Sequence, residues 1–290
     1  MKKIISQEDN SVNFIFGEEE KNYLESRYVR RLDDYVVCYI SVKKGCSKGC
    51  KFCHLTTTDQ VSETDATIEE ILEQAQFVYD HYKEMVETGK EKAARVVHFN
   101  FMARGEPLSS KVMLNNNEEL FLKLSEIFSD LRPKYNISTI MPTSLGNTKL
   151  TNIFKNITPT IYYSLYSVQE DFRTIWLPNA MQLDKALENL KEYQEDTKKI
   201  IKIHHTLIKD ENDNMENAIG IVDIIKKYEL LIEYQIVRYN SYSENEGVET
   251  EEENMEAFIA QLKVLMPAFK IKMINRVGQD VYASCGMFYY

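Results

Sequence analysis

Apolar residues along this chain follow two periods. Residues 35–42, 96–102, 136–140, 160–164, 200–207, 231–237 and, near the end, 269–274 are short runs rich in β-branched and aromatic side chains, as strands are. Between them, apolar positions recur every three or four residues. Ile68, Ile71, Leu72, Ala75, Val78 and Tyr82 mark one amphipathic helix, with Thr67 and Glu70 spaced as a capping box at its start. Leu183, Ala186, Leu187, Leu190 and Tyr193 mark a second, Met215, Ala218, Val222, Ile225 and Tyr228 a third, and Phe258, Ile259, Leu262 and Leu265 a fourth.

Strands alternating with helices predict an α/β fold with a parallel sheet and helices outside it. About six such units curl into a partial (β/α)6, TIM-like barrel whose site gathers at the C-terminal strand ends. A short N-terminal extension, residues 1–32, precedes the barrel at 33–290. There is no internal repeat, low-complexity tract or flexible linker. With 43% apolar and 11% aromatic residues the chain can bury a core, which excludes general disorder. No run of about 18 apolar residues is present to span a membrane. The start, MKKIISQEDNSVNF, lacks the apolar stretch of a secretory signal, so the expected location is the cytoplasm. The net charge of −10 argues against binding nucleic acid through bulk charge. A local basic patch could still do so, from Arg27, Arg30 and Arg31 with Lys43, Lys44, Lys48 and Lys51.

Five cysteines sharpen the picture. Disulfides are disfavoured in a reducing cytosol. Three of the five, Cys46, Cys50 and Cys53, crowd into eight residues directly after the first barrel strand, while Cys38 and Cys285 stand apart. Three thiolates on one loop can ligate three irons of a [4Fe–4S] cube, which normally takes four cysteines. The fourth iron is then open to S-adenosylmethionine (SAM), held through its amino and carboxylate groups. The competing reading is structural zinc on Cys46, Cys50, Cys53 and His54, although neighbours such as Cys53 and His54 rarely reach one ion without strain.

Further segments follow in order. Gly105-Glu106-Pro107-Leu108 comes after the second strand and Ser138 lies on the third. The run from Ser164 through Tyr166 to Arg173 is followed by Pro178. Asn240 follows the sixth strand, and Ala283-Ser284-Cys285-Gly286 lies near the C-terminus. With the cysteine loop, this ordered set resembles the radical SAM superfamily, and within it the adenosine-targeting RNA methyl synthases of the RlmN/Cfr type, from about Arg27 onward.

The resemblance implies site roles. Glu106 would receive the SAM amino group, and Gly105, Ser138, Ser164, Tyr166 and Asn240 would complete the SAM-binding set. Cys285 would take a methyl group from one SAM, and reductive cleavage of a second would turn that methyl into a radical that adds to an adenine carbon. Cys38 would resolve the adduct and leave a Cys38–Cys285 disulfide. A flavodoxin- or ferredoxin-type donor would supply electrons. Three departures stand out. Tyr166 replaces the usual histidine. Cys38 lies eight positions before Cys46, one more than the family spacing, which calls for a bulge or a longer loop. The N-terminal extension is shorter than the family's separate RNA-binding domain, which favours a tRNA or other small RNA over large ribosomal RNA. The alternatives are another radical SAM chemistry on a peptide, nucleotide or small molecule, or a zinc-stabilised RNA-binding protein.

Overall fold

A computed structural model describes all 290 residues. Ten strands form one sheet in sequence order: β1 (Lys2–Ile5), β2 (Val12–Phe16), β3 (Leu24–Leu32), β4 (Tyr35–Ile40), β5 (Val96–Phe101), β6 (Arg132–Thr139), β7 (Thr160–Ser164), β8 (Ile201–Thr206), β9 (Ile232–Val237) and β10 (Lys270–Ile274). The first four pair antiparallel, and every pair from β4 to β10 is parallel. Seven parallel strands are thus joined by six helical crossovers, as the alternation predicts. Residues 1–32 add three antiparallel strands to the edge of the same sheet.

The helices are α1 (His54–Thr57), α2 (Ile68–Glu87), α3 (Lys111–Asn115), α4 (Asn117–Ile127), α5 (Leu150–Ile153), α6 (Glu170–Trp176), α7 (Leu183–Thr197), α8 (Met215–Lys227) and α9 (Glu252–Leu265). At the start of α2 the Thr67 side chain accepts from the Glu70 amide, and the Glu70 carboxylate accepts from the Thr67 amide, so both halves of the capping box are made. Ile71, Ala75, Val78 and Tyr82 then face the sheet in one continuous core with Val36, Cys38 and Ile40 of β4. No helix is long and apolar enough to cross a membrane.

Side chains alternate across a strand. On β4, Val36, Cys38 and Ile40 meet the helix layer, and Tyr35, Val37 and Tyr39 line the barrel lumen. The sheet does not close, since β10 pairs only with β9. The segment after β10 crosses the gap and is fastened to the first strands. Ser6 Oγ donates to Asp280 (2.7 Å), Gly278 N to Asp9 (2.7 Å) and Asn13 Nδ2 to the Val281 carbonyl (3.0 Å).

Candidate active site

The cysteine loop leaves β4 at the C-terminal rim. Gly45 is needed there because a Cβ would lie 2.5 Å from Gln60 O and Ser62 N. The loop is pinned by Cys46 N to Gln60 O (3.0 Å), Lys51 N to Trp176 O (3.1 Å) and His54 N to Gly286 O (3.0 Å). Cys46, Cys50 and Cys53 line one wall of a cavity whose other walls carry Gly105, Glu106, Ser138, Ser164, Tyr166 and Cys285. Burial pushes the Cys46 thiol up to about 11 and Cys53 to about 12, and Cys50 also rises, first by burial and then by Cys46 and Cys53. Each thiolate disfavours the others, so the trio suits a cationic centre that draws all three protons off.

His54 is absent from the cavity lining; its Nε2 is bonded to the Asn240 carbonyl at 3.0 Å, while its Nδ1 is buried without a partner. The cavity therefore offers the three thiols without the imidazole that a Cys46, Cys50, Cys53 and His54 zinc site needs. A cluster spanning several irons, held at its corners by Cys46, Cys50 and Cys53, fits the donor set.

Glu106 is buried. Its Oε1 accepts from Leu108 N (3.0 Å) and its Oε2 from Ile140 N (3.1 Å). Burial raises its pKa against those bonds and Lys48. The Thr139 side chain also hydrogen-bonds this carboxylate, which leaves acceptor capacity for one further donor such as an ammonium. Gly105 lets this loop lie against the cysteine loop, since with φ +91° an added Cβ would stand 2.7 Å from Lys43 Cβ. Ser138 and Ser164 project from β6 and β7 into the same cavity.

Tyr166 holds a left-handed backbone, φ +55°, which bulky residues rarely adopt. The Asn212 and Asn217 amides donate to its carbonyl at 2.9 and 3.3 Å, and its ring stacks on Phe52 at 4.4 Å. The tyrosine that departs from the family pattern is therefore one half of an aromatic wall beside the thiols.

Asn240 Nδ2 donates to the Cys285 carbonyl at 2.8 Å, and its Oδ1 is buried without a partner. One end thus positions Cys285 while the other is left to accept from a ligand. Cys285 has accessible surface, yet protein surrounds it, because that surface faces the cavities. Burial raises its thiol pKa, and Arg27 and Arg31 oppose the rise. With Met102, Ser138 and His204, Cys285 borders both this cavity and a second one in the lumen.

Cys38 does not join them. It pairs in unbroken register with Phe99 across β4–β5, is fully buried in the helix-side core, and its pKa is raised by burial alone. The expected bulge that would turn it is missing from β4 itself; the irregularity lies on the other side, between Val29 and Leu32 of β3. Shifting a strand by one residue exchanges its faces. Tyr39, seven positions before Cys46, takes the lumen side. The expected Cys38–Cys285 pairing is corrected accordingly.

The basic surface patch does not form either. Arg27 is 98% buried, and Arg31 turns into the lumen. Arg30 pairs with Glu91 at 3.0 Å, Lys43 with Asp65 at 2.8 Å, Lys44 with Glu70 at 3.2 Å and Lys48 with Glu63 at 3.8 Å, while Lys51 lies over the Trp176 ring.

Sequence reasoning missed the clasp behind Cys285. Arg104 and Glu25, both fully buried, pair at 2.6 Å, and Glu25 also meets Arg27 at 3.3 Å. Arg104 donates to Lys44 O (2.9 Å) and Tyr289 O (2.8 Å), and Arg27 to Ser284 O (3.3 Å) and Met287 O (2.6 Å). Three charges thus tie the first strands, the cysteine loop and the Cys285 segment together. The one hint in the sequence was Arg104 beside the Gly105-Glu106 motif.

Six β/α crossovers, an open sheet and three thiols facing a carboxylate and a fourth thiol across one cavity are what the resemblance to radical SAM enzymes implies. No protein-family model matches the sequence. Among proteins similar in sequence is the probable dual-specificity RNA methyltransferase RlmN of Clostridium beijerinckii, 26% identical over 292 residues, 96% of this chain and 73% of the relative. A crystal structure of a radical SAM methyltransferase from Sphaerobacter thermophilus matches the fold with a TM-score of 0.80 at 16% identity, over 99% of this chain and 80% of that one. Native anSMEcpe with bound AdoMet and a Cp18Cys peptide matches at TM-score 0.53 and 14% identity, over 82% and 62%. The chain shares the fold of a solved radical SAM methyltransferase and is similar in sequence to proteins named RlmN.

Proposed function

We propose that this chain is a radical SAM methyltransferase that methylates an adenine carbon of RNA, with Cys285 carrying the methyl group. Support for RNA comes from the RlmN relatives, named as RNA methyltransferases. The observation that carries the role of Cys285 is its place between the thiol-lined cavity and the lumen.

When bound, a [4Fe–4S] cluster and SAM supply the methyl group and a reductively generated radical. The chain's own residues arrange the rest. Cys46, Cys50 and Cys53 would hold the cluster, and Glu106 would take the SAM ammonium on its remaining acceptor site. Ser138, Ser164 and the unpartnered Asn240 Oδ1 complete the polar contacts. The Phe52–Tyr166 stack excludes water from that side. Arg27 and Arg31 favour the Cys285 thiolate, the form that accepts a methyl group. With Cys38 on the far face of β4, breaking the bond from Cys285 to the transferred carbon would leave a Cys285 thiyl, which one further electron and a proton would return to the thiol, with no Cys38–Cys285 disulfide. A low-potential electron donor of the flavodoxin or ferredoxin type, and a small RNA such as tRNA, fit the reading.

The test is nucleoside mass spectrometry of RNA incubated with the reconstituted enzyme, SAM and a reductant. Methylated adenosine should appear with both S-adenosylhomocysteine and 5′-deoxyadenosine. Cys285→Ala should lower methylation by about 10³-fold or more, as loss of a nucleophile does. Full methylation by that variant would remove Cys285 from the chemistry.

A further inference from the structure

The lumen cavity, about 380 Å³, lies within the roughly 300–1,000 Å³ usual for small-molecule sites. It passes beneath Cys285 and reaches the surface near the exposed Leu32. In a chain of net charge −10, its lining holds four arginines and two lysines but no carboxylate.

Most of these cations are already matched by carboxylates just beyond the lining. Lys202 and Lys272 share Glu233 at 3.9 and 2.7 Å, Arg276 meets Glu249 at 3.0 Å, and Arg238 meets Glu252 at 2.6 Å. Arg31 has no carboxylate partner; its guanidinium reaches only Tyr39 Oη, at 3.5 Å, and its Nε is buried without an acceptor. Arg27, four residues earlier on the same face of β3, spends both terminal nitrogens on Glu25 and on two carbonyls, yet its Nε also lacks an acceptor. Buried donors without acceptors are uncommon in folded proteins and call for an explanation.

We infer that the lumen cavity is a binding chamber for a phosphate-bearing nucleotide unit, with the Arg31 guanidinium receiving the phosphate and the unpartnered Nε of Arg27 beside it. Guanidinium donors match phosphate geometry. Tyr35, Tyr39 and Tyr162 offer ring faces on which a base can stack, and the Asn100 amide nitrogen can read its edge. The identity of the base rests on the proposed adenine chemistry, whereas the anion site rests on the two arginines. The unit can be a free mononucleotide or one nucleotide of an RNA strand turned into the chamber.

Equilibrium binding to the reconstituted protein tests this without turnover, using AMP, adenosine, inorganic phosphate and a short single-stranded RNA as probes. AMP should bind at least tenfold tighter than adenosine and lose that advantage in Arg31→Met, while adenosine binding changes less than twofold. Arg31→Lys should recover part of the loss. Raising the salt concentration should weaken AMP but not adenosine on the unmodified protein, a measurement that needs no variant. Displacement of AMP by the RNA identifies an RNA-borne unit, and failure to displace it identifies a free nucleotide; either outcome supports the chamber. Equal affinity for AMP and adenosine, or an unchanged AMP affinity in Arg31→Met, overturns it. AMP binding that depends on Arg31 without any RNA methylation would keep the chamber and discard the methyl-transfer reading.

Discussion

The two cavities that meet at Cys285 are built from opposite chemistry. The rim cavity is sulfur, aromatic rings and one buried carboxylate, assembled from loops that leave strand ends. The lumen is cationic and amide-rich, assembled from the inward positions of the strands themselves. Loops can carry a reactive cluster because their backbone is free to wrap it, whereas strands fix side chains at 2-residue spacing and suit a rigid, shaped recess. A residue that borders both, such as Cys285 or His204, can pass chemistry from one side to the other.

The comparison can be broken hardest at the clasp. Glu25→Ala leaves Arg27 and Arg104 buried and unpaired, and should cost about 3–5 kcal/mol of stability. A calorimetric melt should show a large fall in Tm, and an unchanged melt would mean that the triad does not hold Cys285 between the cavities.

Acid should act next. Burial lowers His204 to about 4 and His205 to about 3, both from 6.5, and His98 in the lumen falls to about 4 for the same reason. These rings are neutral in the fold, while the unfolded chain takes up protons near 6.5. Stability is therefore full above pH 6.5 and declines as pH falls from there toward 4, by on the order of 2 kcal/mol per histidine. Urea midpoints at pH 7 and pH 5 measure it, and equal midpoints would show that the rings are not held neutral.

The smallest effect sharpens the contrast between the faces of β4. Cys38→Ala should cost about 1 kcal/mol, the loss of one small buried group, and leave methylation within about twofold. A loss of methylation as deep as that of Cys285→Ala would put Cys38 back in the site.

How much of this was legible depended on burial on both sides of a strand. The parallel strands and their helices followed from apolar runs and period, and Cys46, Cys50, Cys53, Glu106, Ser138, Ser164, Tyr166 and Cys285 do share one cavity. The facing of Cys38 was not legible. Val36-Val37-Cys38-Tyr39 is apolar throughout, as buried parallel strands are, so no alternation marks which residues point inward. The first three strands were missed because Asn13, Ser26, Glu25 and Arg27 interrupt the apolar pattern and read as surface. Asn13 and Arg27 are buried under the returning end of the chain, Ser26 under α2 and Glu25 against Arg104 and Ser41.

That return has a consequence for how the molecule reaches its shape. Ser6 with Asp280, and Gln60 with the Tyr289 carbonyl at 3.1 Å, join partners more than two hundred residues apart. Loop closure over such separations slows folding. The central strands and helices can form through nearer neighbours, so the seal over both cavities should be among the last contacts made, with the three thiols open to incoming iron and sulfide until it closes.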